Sequence, residues 1–274
     1  MNIHHRHNVR VLGDGPRTMV MAHGYGCDQN MWRSIVPEFE RDFRIVLFDY
    51  VGHGQSDVSA FDRVRYATLQ GYANDLLDVC ASLEVHDAVF VGHSVSSMIG
   101  ILAARTDPTR FGSLVLIGPS PCYVNDGEYV GGFTREDIHG LLDFLDANHL
   151  GWSSTMAPVI MGNADRPELA AELANSFCRT DPEIAKHFAR VTFLSDNRAD
   201  LQSVRTPCLI LQCAQDVIAP RPVGEYVHRH IPASDLVVLD AEGHCPHLSH
   251  PEATSAAIRK FVDSNLARGA TRCQ

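Results

Sequence analysis

The chain has 274 residues, 45% of them hydrophobic and 20% charged, the balance of an ordinary globular protein with a sizeable core. Its 23 Lys and Arg stand against 33 Asp and Glu, and the resulting net charge of −10 opposes a phosphate backbone, which argues against nucleic acid as a partner. Every long apolar stretch is interrupted by polar residues, so no membrane-spanning helix is predicted.

Residues 1–10 are rich in His and Arg with no apolar segment behind them. They read as a solvated basic end rather than a secretory signal, and the expected location is the cytoplasm. His4, His5 and His7 are too few to define a metal site, and none is assigned. Short continuous apolar runs then recur at 19–22, 45–48, 88–91, 114–117, 209–211 and 236–239. Runs that do not alternate are buried on both faces of a sheet. Helical patterns at 69–83 and 96–105 fall between them, so the fold class is α/β with a mostly parallel, doubly wound sheet.

From Pro119 to Pro207 the rhythm breaks, with no strand-like run, although a crossover needs only about a dozen residues. Ile138, Leu141, Leu142 and Leu145 recur at helical spacing behind Thr134, an N-cap candidate with Asp137 three residues on. Leu169, Leu173 and Phe177 form a second stripe, and Ile184, Phe188 and Val191 a third that opens at Asp181-Pro182. A further short helix is predicted over 152–160. The insertion therefore reads as a cap of about four helices, residues 120–197, set into a core made of 1–119 and 198–274. Eight cysteines are scattered without CxxC or metal-type spacing and are expected to be reduced, mostly buried thiols.

Gly92-His93-Ser94-Val95-Ser96 follows the buried run 88–91 and opens a helix. A small residue two before the serine allows a sharp turn that leaves Ser94 strained and exposed at a helix N-terminus, the context of a nucleophile elbow. A serine hydroxyl needs a positioned base. His244 lies just past the last strand in Glu242-Gly243-His244-Cys245-Pro246-His247, with His247 and His250 as rivals on the same segment. The carboxylate that fixes the imidazole is assigned to Asp216, in the turn after the strand near 207–213. Asp240 stands too close to His244, and Asp196 and Asp200 precede the strand. The order Ser94, Asp216, His244 is that of α/β-hydrolases. Oxyanion donors are expected from the NH of Val95 and, in the loop His23-Gly24-Tyr25-Gly26, from the NH of Tyr25. Asp49, His53, Ser56 and His93 are read as structural.

These motifs, with Asp49-Tyr50-Val51-Gly52-His53-Gly54-Gln55-Ser56 and Gly243-His244-Cys245-Pro246-His247-Leu248-Ser249, resemble the RsbQ-type branch of α/β-hydrolases. That branch includes the bacterial stress regulator RsbQ and the plant strigolactone and karrikin receptors. The likeness runs over nearly the whole chain. The resemblance implies a V-shaped cap of four helices over a deep apolar pocket walled by Tyr25, Tyr123, Phe133, Trp152, Met156 and Phe193. It also implies hydrolysis of a small apolar ester or lactone without a cofactor. A signalling role through a PP2C-type phosphatase carrying a PAS domain is implied by the bacterial member, and an ordinary cytoplasmic carboxylesterase or lactonase is the alternative. Two departures stand out: Ser96 where most hydrolases have Gly, as in this branch generally, and Tyr25 where Phe is usual.

Overall fold

The computed structural model describes residues 2–272, with side chains of the last helix described as far as Asn265. Met1 and the eighth cysteine, Cys273, lie outside the described residues. In chain order the elements are α1 (Ile3–Arg6), β1 (Arg10–Leu12), β2 (Arg17–Ala22), β3 (Phe43–Leu47), α2 (Leu69–Ser82), β4 (Ala88–His93), α3 (Val95–Thr106) and β5 (Phe111–Ile117). Four helices follow: α4 (Arg135–Ala147), α5 (His149–Met161), α6 (Pro167–Arg179) and α7 (Pro182–Phe193). The chain then returns through α8 (Arg198–Leu201), β6 (Cys208–Gln215), α9 (Arg221–His230), β7 (Ser234–Glu242), α10 (Pro246–Ser249) and α11 (Pro251–Arg272).

The sheet runs in the order β1-β3-β2-β4-β5-β6-β7, and every neighbouring pair is parallel except β1 on β3. All six apolar runs fall on the parallel strands. On β2, β4 and β5 the lack of alternation has a plain cause: Met19, Met21, Val89, Val91, Val115 and Ile117 face one core, while Val20, Ala22, Phe90, Leu114 and Leu116 face the other; the run at 236–239 departs from this, because β7 is an edge strand and Val237 and Val238 are exposed. The first core is closed by Trp32, Phe39 and the cap; the second is closed by α2 and α3.

The N-terminal segment differs from expectation. It is not a solvated end: Arg6 donates to the Tyr66 hydroxyl at 2.8 Å and lies 3.3 Å from the Asp75 carboxylate, and buried His7 donates from Nδ1 to the Asp49 carbonyl at 3.2 Å. The wholly buried Asp75 carboxylate recruits the basic residues, 3.3 Å from Arg6 and 3.8 Å from His7, while the Asp49 carboxylate accepts from Asn8 Nδ2 at 2.7 Å. The three-residue edge strand that follows is too short to show a pattern in sequence.

The cap helices start where capping chemistry places them. Thr134 and Asp137 form a reciprocal capping box at α4, and Asp181 accepts from the Glu183 and Ile184 NH groups at α7. Helix α5 begins three residues before the predicted start, capped by Asn148. Val191 is only half buried; the inner face of α7 continues instead through Thr192 and Phe193. The described cysteines are all free, and Cys178 alone among them is exposed. No helix among the described residues is long and apolar enough to cross a membrane.

Candidate active site

Strand β4 ends at His93, and the chain turns through Ser94 at φ 56°, ψ −123° into α3. That positive φ on a non-glycine residue is strained. The turn is possible because Gly92 has no side chain: a Cβ there would meet the Phe90 ring at 2.6 Å and the Ser96 carbonyl oxygen at 2.7 Å. Ser96 replaces the usual glycine and has polar partners of its own. Its Oγ accepts from the Tyr50 hydroxyl at 2.8 Å and donates to the His23 carbonyl at 2.5 Å, joining the elbow to the loop after β2.

Ser94 Oγ donates to His244 Nε2 at 2.8 Å, and His244 Nδ1 donates to Asp216 Oδ2 at 2.7 Å. The other oxygen of Asp216 accepts from the NH groups of Ile218 and Ala219 at 2.9 and 3.1 Å, which fixes the carboxylate's plane. All three residues are buried. The backbone of His244 is held at both ends: its NH donates to the Ile160 carbonyl at 2.8 Å, and its carbonyl accepts from His93 Nε2 at 2.8 Å. Burial, with His247 and His244 adding to it, keeps His93 neutral by pushing its pKa well below the usual histidine value.

The rivals lie elsewhere. His247 is fully buried, its ring 4.8 Å from Trp32 and 4.4 Å from His93, and His250 bonds to Ser249. Asp196 pairs with Arg198, Asp200 with Arg105, and Asp240 is exposed on β7. Asp49 accepts from the NH groups of Gln29 and Gln55, and Ser56 from those of Gly52 and His53, which holds their turn.

Val95 is the first residue of α3, so its NH has no intrahelical acceptor. Neither it nor the Tyr25 NH donates to any acceptor among the described residues. The Tyr123 hydroxyl stands beside Ser94; burial pushes its pKa up to about 12, while the Ser94 hydroxyl pulls it the other way. Ser94 and His244 open on a cavity of about 30 Å³ whose wall includes Tyr25, Tyr123, Trp152, Phe177 and Phe193. Larger grooves of about 590 and 620 Å³ are open to solvent and do not include Ser94.

Phe133 and Met156 are not brought to this cavity. The Phe133 backbone pairs with residues 123–125 and its half-buried ring packs on the core, while on α5 the wall is formed by Trp152 and Ile160, a turn to either side of Met156. Cys27, Ile160, Leu173, Phe177, Thr192, Ile218 and Cys245 also line it and were not foreseen. The apolar stripes already contained Leu173 and Phe177; nothing in the sequence marked which face of each stripe meets the site.

Gly118, directly after β5, also escaped notice. It has φ +56°, and a Cβ would come 2.9 Å from His244 Cε1 and 3.1 Å from its Nδ1. Gly118→Ala is therefore expected to displace the imidazole and lower ester kcat by about 10² while the chain stays folded. Steady-state kinetics on a p-nitrophenyl ester check this, and an unchanged kcat would refute it.

Residues 19–257 match the α/β hydrolase family. The chain belongs to that family. It is 40% identical to strigolactone esterase D14 of Arabidopsis thaliana over 256 residues, 93% of this chain and 96% of that protein. It is 37% identical to karrikin insensitive 2 receptor CA of Petunia hybrida over 262 residues, 95% and 97% of the two chains. Among solved structures, a hydrolase from Oleispira antarctica superposes with a TM-score of 0.93 at 42% identity, covering 96% of each chain. This hydrolase is thus an esterase-type enzyme related to strigolactone esterases and karrikin receptors.

Proposed function

We propose that the protein hydrolyses a small, largely apolar ester or lactone, with Ser94 as nucleophile, His244 as general base and then acid, and Asp216 holding the imidazole. The observation that carries this reading is the unbroken chain from Ser94 Oγ through His244 to Asp216 at 2.8 and 2.7 Å, at the floor of an aromatic-walled cavity. Ser94 Oγ attacks the ester carbonyl and its proton passes to His244 Nε2. Asp216 stabilises the imidazolium through Nδ1–H. The carbonyl oxygen takes the negative charge, and the NH groups of Tyr25 and Val95 face it. His244 returns the proton to the leaving oxygen, then draws one from a water whose oxygen attacks the acyl carbonyl, and passes that proton to Ser94 Oγ as the C–Oγ bond breaks and the acid leaves.

In this reading residues 120–197 form a lid over the site, with 1–119 and 198–274 as the body. A cavity of about 30 Å³ holds little more than a water molecule, so ligand capture requires its wall to move, through the lining side chains or the lid that carries many of them. Coupling of capture to lid movement suits a sensor, and two relatives carry receptor or strigolactone names. The role proposed is an RsbQ-like small-molecule sensor and positive regulator in a stress pathway, read by a PP2C-type phosphatase with a PAS domain. Turnover on generic p-nitrophenyl esters is expected below about 1 s⁻¹, under the common enzyme range of 1 to ~10³ s⁻¹. Glu168 is exposed on α6 and suits a test of partner output at constant hydrolysis, whereas Glu172 is tied to Arg33 by a 2.5 Å ion pair. Fast turnover of a host metabolite, with a stress response indifferent to deletion of the protein, would leave a metabolic esterase instead.

A further inference from the structure

The loop after β2 carries the proposed oxyanion donor and is gripped by the cap. The Tyr25 ring centroid lies 5.9 Å from Trp152 of α5, 6.0 Å from Phe177 of α6, and 5.8 and 6.1 Å from Phe188 and Phe193 of α7. One side chain therefore meets three cap helices. Its hydroxyl, which burial keeps protonated by pushing its pKa up, donates to the Ala185 carbonyl of α7 at 3.1 Å. On the α6 side, Ser176 Oγ donates to the Gly26 carbonyl at 3.0 Å, one residue along the same loop. Two ion pairs, Arg179 with Asp28 at 3.2 Å and Arg33 with Glu172, bind the loop's outer end to α6.

We infer that the Tyr25 hydroxyl is a positioning group that makes the place of cap helix α7 and the place of the oxyanion NH a single variable. The Tyr25 backbone cannot stay fixed if α7 moves while the hydroxyl bond holds. Cap displacement large enough to admit a ligand therefore either breaks that bond or draws the Tyr25 NH away from the oxyanion position. Hydrolysis is confined to the closed cap, and the same bond sets how bulky a ligand enters. The inference rests on the reading of Ser94 as nucleophile and the Tyr25 NH as oxyanion donor.

Tyr25→Phe keeps the ring and the NH and removes only the bond to Ala185. Loss of one neutral hydrogen bond shifts an opening equilibrium roughly 2- to 10-fold. With p-nitrophenyl acetate and p-nitrophenyl cyclohexanecarboxylate as small and bulky esters, the ratio of kcat/KM values, bulky over small, is expected to rise by about that factor. At the same time kcat should fall for both, because the closed complex is less populated. Ser176→Ala, outside the reacting groups, should move both quantities in the same direction. A purely structural role would lower kcat/KM for both esters in parallel and leave the ratio alone. Fluorophosphonate labelling of the wild-type protein separates the two levels of the argument: no labelling at Ser94 overturns the hydrolase reading itself. Normal labelling with a wild-type ratio in both variants, or a parallel fall, overturns the inference about Tyr25.

Discussion

Ser94→Ala should abolish labelling by a fluorophosphonate and remove ester hydrolysis, with thermal stability kept within about 1 kcal/mol, as for a site residue outside the packed core. The neighbouring serines offer no substitute. Ser96 Oγ is engaged by His23 and Tyr50, Ser97 Oγ donates to the Gly92 carbonyl at 3.1 Å, and both residues are fully buried. His244→Ala should cut kcat by about 10³ or more, since no other buried imidazole lies within hydrogen-bond reach of Ser94 Oγ among the described residues. Asp216→Asn keeps the two backbone bonds at Oδ1 but replaces the acceptor facing Nδ1, so severe loss through the wrong tautomer is expected. Peptide mass spectrometry that found the label on Ser96 or Ser97, or an active His244→Ala beside an inactive His247→Ala, would sink the assignment.

What was legible in the sequence follows from how local the physics is. The doubly wound sheet could be read because strands buried on both faces carry unbroken apolar runs, and the elbow because Gly92 and Ser94 obey a local steric rule. Capping residues Thr134 and Asp181 marked two cap helices because their side chains bond within three residues. The cavity wall was less legible. Trp152, Tyr123 and Phe193 reach it, but Phe133 and Met156 do not, and Ile218, Cys27 and Cys245 do. Met156 shares a helix face with Trp152 and Ile160, so its spacing could not exclude it; which residues of a face reach a cavity depends on how the helix packs across the molecule. Gly118 was invisible for a related reason: its constraint comes from His244, more than a hundred positions away in the chain. The N-terminal basic segment misled because its partners, Asp49 and Asp75, are brought to it only by the fold.

The largest effect expected on stability comes from acid. His53 and His247 are buried with both ring nitrogens unpartnered, and each has its pKa pushed down to about 3. Burial is the main cause for both; a positive charge on His23 would add to it for His53, and one on His244 for His247. Unfolded, each would titrate near 6.5. Between about pH 6.5 and 3 the unfolded chain therefore binds protons that the folded one refuses, so the stability these residues hold is complete above pH 6.5 and drains as the pH falls. Each histidine adds a slope approaching about 1.4 kcal/mol per pH unit, and the pair about twice that. Across that window the pair withdraws up to about 9 kcal/mol, comparable with a total stability of roughly 5 to 15 kcal/mol, so a large share of the stability should be lost before pH 3 is reached. The measurement is the urea midpoint at a series of pH values from 7 down to 4.5. His53→Leu, which removes the titrating ring from its contact with Phe188, should flatten the slope by about 1 kcal/mol per pH unit below pH 6, with His247→Leu doing the same behind the elbow. If neither variant changes the slope, these rings are charged in the folded protein or hydrated there, and acid lability must come from other groups, such as the carboxylates or His7, His23 and His93, whose pKa values burial also lowers.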